Sequence, residues 1–198
     1  MRHWLLVAGL AAAALLCGGC LFHDAPPPRY YAPPSALADD PVPVPPRSAR
    51  PLRLRHVHAA AYLTEQMVWR SSDVEYGLYE QRRWTDFPSS YLKRALVQAL
   101  DRTGDVRRVE VGAVPTLDVE LLAFDEVLMP AHEAAVAAVA SLRAADQSAI
   151  FDRTFAVRRS IPDDTPAAVA RAMGAALDDV VQQIAAQVVA QLPATPVH

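Results

Sequence analysis

Two histidines two positions apart, His56 and His58, are the first residues in this chain whose types and spacing suggest chemistry. On an extended strand they share a face and could hold a metal ion between them. No third ligand is evident nearby, and Arg53 and Arg55 would repel a cation, so the sequence predicts no metal site. Adjacent acids occur at Asp39-Asp40, Asp163-Asp164 and Asp178-Asp179. These fall in a linker, a loop and the solvated face of a helix, where they read as solubility and helix-end charges rather than a catalytic dyad. The seven glycines form no phosphate cradle, no Gly-x-Ser-x-Gly elbow is present, and Ser89-Ser90 reads as helix-start chemistry. The prediction is a non-enzymatic chain without a cofactor. What stands out is contact chemistry. Residues 68–88 concentrate Trp69, Arg70, Tyr76, Tyr79, Arg83 and Trp84, side chains of large contact area with arginines beside them, as at interfaces. The plainer reading makes Tyr79 and Trp84 core anchors.

The elements that must position this segment follow from periodicity. Leu52, Leu54 and Val57 interleave with Arg53, Arg55, His56 and His58, which predicts a first strand. Met67–Trp69 and Val74–Tyr79 flank Arg70-Ser71-Ser72-Asp73, which predicts a hairpin. Pro88 suits the first turn of a helix whose Leu92, Leu96 and Leu100 recur every four residues, and Gly104 stops it. Val106–Val111 predicts a short strand, and Leu117, Val119 and Leu121 alternate with Asp118 and Glu120 in the clearest strand of the chain. The Ala-rich run 133–143 has helix propensity, but the turn at Asp146-Gln147-Ser148 and the apolar Ile150–Val157 beyond it favour a strand pair. Thr165 caps and Pro166 opens a helix of about 26 residues with Val169, Met173, Leu177, Val180, Ile184 and Val188 on one side, near 40 Å long. The fold class predicted is α+β, a mostly antiparallel sheet with two helices packed on one face, the C-terminal one long.

The chain has 198 residues, 52% hydrophobic and 21% charged, with a formal net charge of −3. That leaves no basic footprint for nucleic acid. Arg2 and His3 precede an apolar run from Leu5 to Leu16, about 12 residues and too short to span a bilayer, which needs about 20. Gly18 and Gly19 then precede Cys20, the pattern of a secretory signal. A cysteine at that point resembles a bacterial lipobox, in which the cut exposes the cysteine and lipid is attached to it; Cys17 stands where that signal usually has Leu. Lipidation at Cys20 anchors the chain to a membrane and leaves no second cysteine for a disulfide. Residues 24–51 hold ten of the seventeen prolines, which disfavours helix and sheet and predicts an extended spacer of tens of ångströms. The divisions are therefore a signal peptide at 1–19, a lipidated start and tether at 20–50, one folded domain at 51–192, and a tail at 193–198.

Trp69-Arg70-Ser71-Ser72-Asp73, Tyr79-Glu80 and Arg83-Trp84-Thr85-Asp86-Phe87-Pro88 together resemble the signature of the ABC-type transport auxiliary lipoproteins, and the strand end Leu121–Glu126 resembles that family's second landmark. The resemblance covers roughly residues 51–192. It implies an envelope lipid-transport role, as a periplasm-facing outer-membrane lipoprotein. The partner it implies is the mammalian-cell-entry-domain protein of an ABC transporter, and self-association into a homo-oligomer is a further expectation. Leu21 after Cys20, in place of Asp, favours the outer membrane. The candidate interaction residues are Trp69, Arg70, Tyr79, Arg83 and Trp84. Two alternatives compete: a lipid carrier holding an acyl chain between Val136–Leu142 and the Val169–Val188 stripe, and a lipoprotein of another envelope-assembly machine.

Overall fold

A computed structural model describes residues 26–37, 46 and 48–193, so the expected signal peptide, Cys20 and residues 194–198 lie outside the described residues. The central element is β6 (Thr116–Val127), whose buried Leu117, Val119, Leu121 and Phe124 face the helices. Along its whole length it pairs antiparallel with β7 (Glu133–Arg143), which pairs antiparallel with β8 (Ala149–Ser160). The 133–143 segment is thus a strand. From Val136 to Arg143 buried residues alternate with half-buried ones, the pattern of a strand, and ladder pairing outweighs the helix propensity of its alanines.

The other edge of β6 is shared by two strands lying end to end. β2 (Arg50–Ala59) runs parallel to Thr116–Leu121, and β3 (Gln66–Arg70) runs parallel to Asp125–Val127. β3 turns back antiparallel into β4 (Tyr76–Trp84), and β5 (Val106–Arg108) lies outside β2. The sheet is therefore mixed, its longest ladders antiparallel and its shorter ones through β2 and β3 parallel. Helix α1 (Pro88–Arg102) covers β2, β5 and β6, while α2 (Pro166–Gln191) covers β7 and β8. The Thr165 hydroxyl accepts from the Ala168 N–H at 3.2 Å, and Val169, Met173, Leu177, Val180, Ile184 and Val188 are all buried, as the periodicity predicts. The two helices and the sheet enclose one core.

Three expectations need correction. The hairpin turn extends to Glu75, because the Ser72 hydroxyl accepts from the N–H groups of Val74 and Glu75; Val74 leaves the strand and stands 92% exposed. β5 stops at Arg108, short of Val111. The largest correction concerns the proline-rich lead-in, which is not wholly a spacer. Arg29–Tyr31 forms β1, pairing parallel with Arg82–Trp84 of β4. Behind it, Ser35 Oγ donates to Asp178 Oδ1 at 2.6 Å and the Ala36 N–H donates to Asp178 Oδ2 at 2.7 Å. Asp178 is buried under this strap instead of lying on a solvated helix face. The strap crosses α2 at Gly174, where a Cβ would come within 1.9 Å of the Pro34 carbonyl oxygen. Proline removes backbone donors, but it leaves carbonyls and ring surface to pack, and the few non-proline residues supply the hydrogen bonds.

Candidate functional site

The residues singled out in the sequence converge on the β3–β4 hairpin and the end of β6, but most of them build the site from beneath. Trp84 is 1% exposed, its ring edge-on to Phe124 at 5.2 Å and to Tyr91 at 6.4 Å. It is a core anchor, the plainer of the two sequence readings, and offers no surface to a partner. Trp69 lies half-buried across the neighbouring strand, where a Cβ on Gly77 would be 2.1 Å from its indole Cζ2. Only glycine fits there, which explains an otherwise weak β former inside a strand. Tyr79 is half-buried under the Arg82 guanidinium, 4.1 Å above its ring. Burial, then the charge of Glu126, pushes its phenol up to about 12. Arg83, also half-buried, sits in register between Tyr30 of β1 and Gln66 of β3. Arg70 points inward, with Nε 4.0 Å from Asp125 Oδ2.

The two acids beneath the hairpin lie in the Leu121–Glu126 landmark but are not among the candidate interaction residues. Asp125 and Glu126 are consecutive on β6, so they project to opposite faces of the sheet, yet they are 0% and 3% exposed. Asp125 Oδ1 accepts from the Tyr62 hydroxyl at 3.3 Å and from the Phe124 N–H at 3.2 Å. Burial pushes its carboxyl above the ordinary carboxylate range, against the pull of the Phe124 N–H, Arg70 and Tyr62. Burial and the same carboxylate also raise the Tyr62 phenol. Glu126 meets His132 Nε2 at 2.8 Å and Arg82 at 3.7 Å, and His132 Nδ1 reaches Asp164 at 3.3 Å. Asp125 Oδ2, Glu126 Oε2 and Arg70 Nε have no hydrogen-bond partner. These are buried carboxyl–guanidinium pairs held by proximity, costly to break by removing one member. The available signal was the pair Asp125-Glu126 interrupting an alternating apolar strand.

What remains accessible is apolar. Tyr62, Tyr76 and Leu78 are 38%, 48% and 47% exposed, and the two tyrosines meet edge to face at 5.8 Å. With Thr64, Gln66 and Val68 they line an open groove of about 480 Å³ without a charged wall. The hairpin's backbone adds to it. Ser71 N–H bonds to the Glu75 carbonyl, and antiparallel pairs alternate between bonded and non-bonded, so Tyr76 and Leu78 turn their backbone groups to the outer edge. Beside β1, which covers Arg82–Trp84, that edge has no strand partner among the described residues. Chemically the groove can take an apolar segment or side chain, and the hydroxyls of Tyr62, Thr64 and Tyr76 and the amide of Gln66 are the polar groups of its wall.

The histidine pair lies elsewhere. The His56 and His58 rings stack at 5.3 Å on the β2–β6 surface. His56 Nδ1 is 3.1 Å from Asp118, whose carboxylate is also held by Arg55 Nε at 3.0 Å. The Arg55 hydrogen bonds hold the Asp118 carboxyl below its usual range, and the guanidinium stands where a cation would have to sit. Among the described residues no group of His, Cys, Asp and Glu is arranged to hold a metal ion.

Comparison with known proteins places this geometry in context. Residues 36–185 match a family described as the ABC-type transport auxiliary lipoprotein component. Protein XCC0632 from Xanthomonas campestris has a similar crystal structure, with a TM-score of 0.69 at 23% identity over 82% of this chain and 96% of that one. A crystal structure of an uncharacterised protein gives 0.64 at 18% identity, covering 82% and 99%. The hypothetical protein CT253 from Chlamydia trachomatis gives 0.51 at 10% identity, covering 75% and 99%. At these identities the likeness is one of fold. No curated protein matches the chain.

Proposed function

Since the chain belongs to the ABC-type transport auxiliary lipoprotein family, we propose that it is the outer-membrane component of a mammalian-cell-entry-type ABC system. It is lipid-anchored through Cys20, faces the periplasm, and docks the assembly that moves lipid across it. The role is that of a non-enzymatic binding module. One observation carries the docking role: the hairpin presents an uncharged groove of Tyr62, Tyr76 and Leu78, held rigid from below by Trp69 on Gly77 and by Arg70 and Tyr62 on Asp125. Exposed apolar side chains grouped around one groove on a fixed scaffold suit a protein partner. No described helix is long and apolar enough to cross a membrane.

The carrier alternative draws less support. Val136, Leu142 and the Val169–Val188 stripe belong to one buried core cluster beneath the helices, whereas the accessible groove is on the hairpin. The test is capture of the periplasmic mammalian-cell-entry protein by purified full chain. Tyr76→Asp with Leu78→Asp is expected to reduce capture at least tenfold while circular dichroism stays unchanged. Capture at the parental level by that folded variant would remove the groove from the docking role.

A further inference from the structure

The correction to the tether changes where the domain stands. With residues 20–50 as a free spacer, the domain would hang about 95 Å from its anchor at about 3.1 Å per residue. Because β1 is paired, the free lead-in ends ahead of Arg29. β1 runs parallel to β4, and β4 runs away from the hairpin turn, so the chain ahead of Arg29 comes from the side of that turn. Pro26, Pro27 and Pro28 are exposed there and cannot donate to a ladder, which explains why the pairing begins at Arg29. From Pro26 to Cys20 is six residues, a reach of at most about 20 Å.

The end of the molecule on that side has a distinct surface. β3 and β6 run parallel with Arg70 opposite Val127, so the hairpin turn and the β6–β7 loop emerge together. Each carries a bare apolar side chain at its tip: Val74 at 92% exposure and Met129 at 62%. A cavity of about 350 Å³ lies between the loops, with Ser72, Asp73, Val127, Met129, Pro130 and Arg158 in its wall. Charges of both signs share this end, Asp73, Glu75, Asp163 and Asp164 with Arg70, Arg158 and Arg159, so attraction to anionic lipid is not its character. The opposite end, with Val111 in the β5–β6 loop, is the length of the 12-residue β6 away, about 40 Å. Six residues cannot bridge that.

We infer that the hairpin turn and the β6–β7 loop rest on the bilayer, with Val74 and Met129 entering the interfacial layer beside the lipid on Cys20. The lipid surface is the partner, and the groove of Tyr76 and Leu78 then opens just above it. The inference rests on the anchor at Cys20 stated above. The mature chain makes the test direct: Cys17 leaves with the signal and an acylated Cys20 has no free thiol, so one added cysteine is a unique label site. Full-length acylated protein is reconstituted in phosphatidylethanolamine–phosphatidylglycerol vesicles containing spin-labelled lipid. Val74→Cys, Met129→Cys and Val111→Cys, all at exposed positions, carry a polarity-sensitive fluorophore. At least threefold stronger quenching is expected at positions 74 and 129 than at 111. Equal quenching at all three, or stronger quenching at 111, overturns the orientation. Mass spectrometry of the same sample separates the causes: acylated protein with an unquenched position 74 refutes the orientation alone, and unacylated protein refutes the anchor and the orientation together.

Discussion

Replacing Gly174 by alanine sets two calculable effects against each other. Gly174 lies inside α2, where alanine is worth about 1 kcal/mol over glycine in helix propensity. Its missing Cβ is also the space through which the strap passes: a methyl there would be 1.9 Å from the Pro34 carbonyl oxygen and 3.1 Å from the Pro34 nitrogen. Those atoms are backbone and cannot rotate aside, so the strap must lift. Lifting it breaks the Ser35 and Ala36 bonds to Asp178, at 2.6 and 2.7 Å, and leaves a carboxylate that is 5% exposed without those partners. Hydrogen bonds to a charged group contribute about 1.5–3 kcal/mol each, and partial exposure of this pair favours the lower figure. The loss of about 3 kcal/mol outweighs the gain of about 1, so Gly174→Ala is expected to destabilise the domain by about 2 kcal/mol. For a domain of this size that lowers Tm by about 4–8 °C. Urea unfolding measures the energy, and hydrogen exchange at the Ala36 amide reports the strap. A variant that gains about 1 kcal/mol while its Ala36 amide stays protected would refute the docked strap.

Two further substitutions probe the buried hairpin supports. Trp84→Ala removes a 1%-exposed ring packed on Phe124 and Tyr91, and is expected to cost about 3–5 kcal/mol in urea unfolding; a loss under 1 kcal/mol would mean the ring is not a core anchor. Asp125→Asn tests pH dependence. Burial holds this carboxyl above its ordinary value near 4, so the folded chain keeps a proton that the unfolded chain releases. Its contribution is complete below about pH 4 and declines as pH rises through the folded value. The asparagine variant should lose that decline, so its urea midpoint is expected to fall less, or rise more, than the parent's between pH 4 and pH 7. A midpoint change equal to the parent's would assign the slope to other groups.

Hydrophobic period and capping chemistry made most of this fold readable before any coordinates. The Val169–Val188 stripe, the Thr165-Pro166 start and the alternation over 117–121 each encode one element locally, and each formed where expected. Strand 133–143 was decided by its neighbours: the turn at Asp146–Ser148 made a strand pair possible where composition alone suggested a helix. Parallel pairing of β2 and β3 on one edge of β6 left no such local trace, because it joins residues about 60 positions apart. The site was legible as a segment but not as a surface. Aromatic and arginine density marked the right hairpin, yet density cannot distinguish Trp84 under the sheet from Tyr76 on it; that depends on the register of a bulged strand.

The proline-rich lead-in failed for a different reason, and the failure bears on mechanism. Prolines build no ladder at Pro26–Pro28, where pairing is absent, whereas Arg29–Tyr31 are three residues that carry their own N–H groups and do pair. Three paired residues, one buried aspartate and one glycine are enough to convert much of the lead-in from reach into structure. A domain on a long free leash samples a large volume and meets partners at a low effective concentration, which falls steeply as linker length grows. A domain held by a short lead is confined to a thin layer and has a fixed side toward the bilayer. With the proposed anchor at Cys20, orientation more than distance is what the lead-in would supply to a transport assembly. Gly174→Ala therefore probes that geometry as well as stability: releasing the strap should weaken position-74 quenching in vesicles while leaving the groove residues in place.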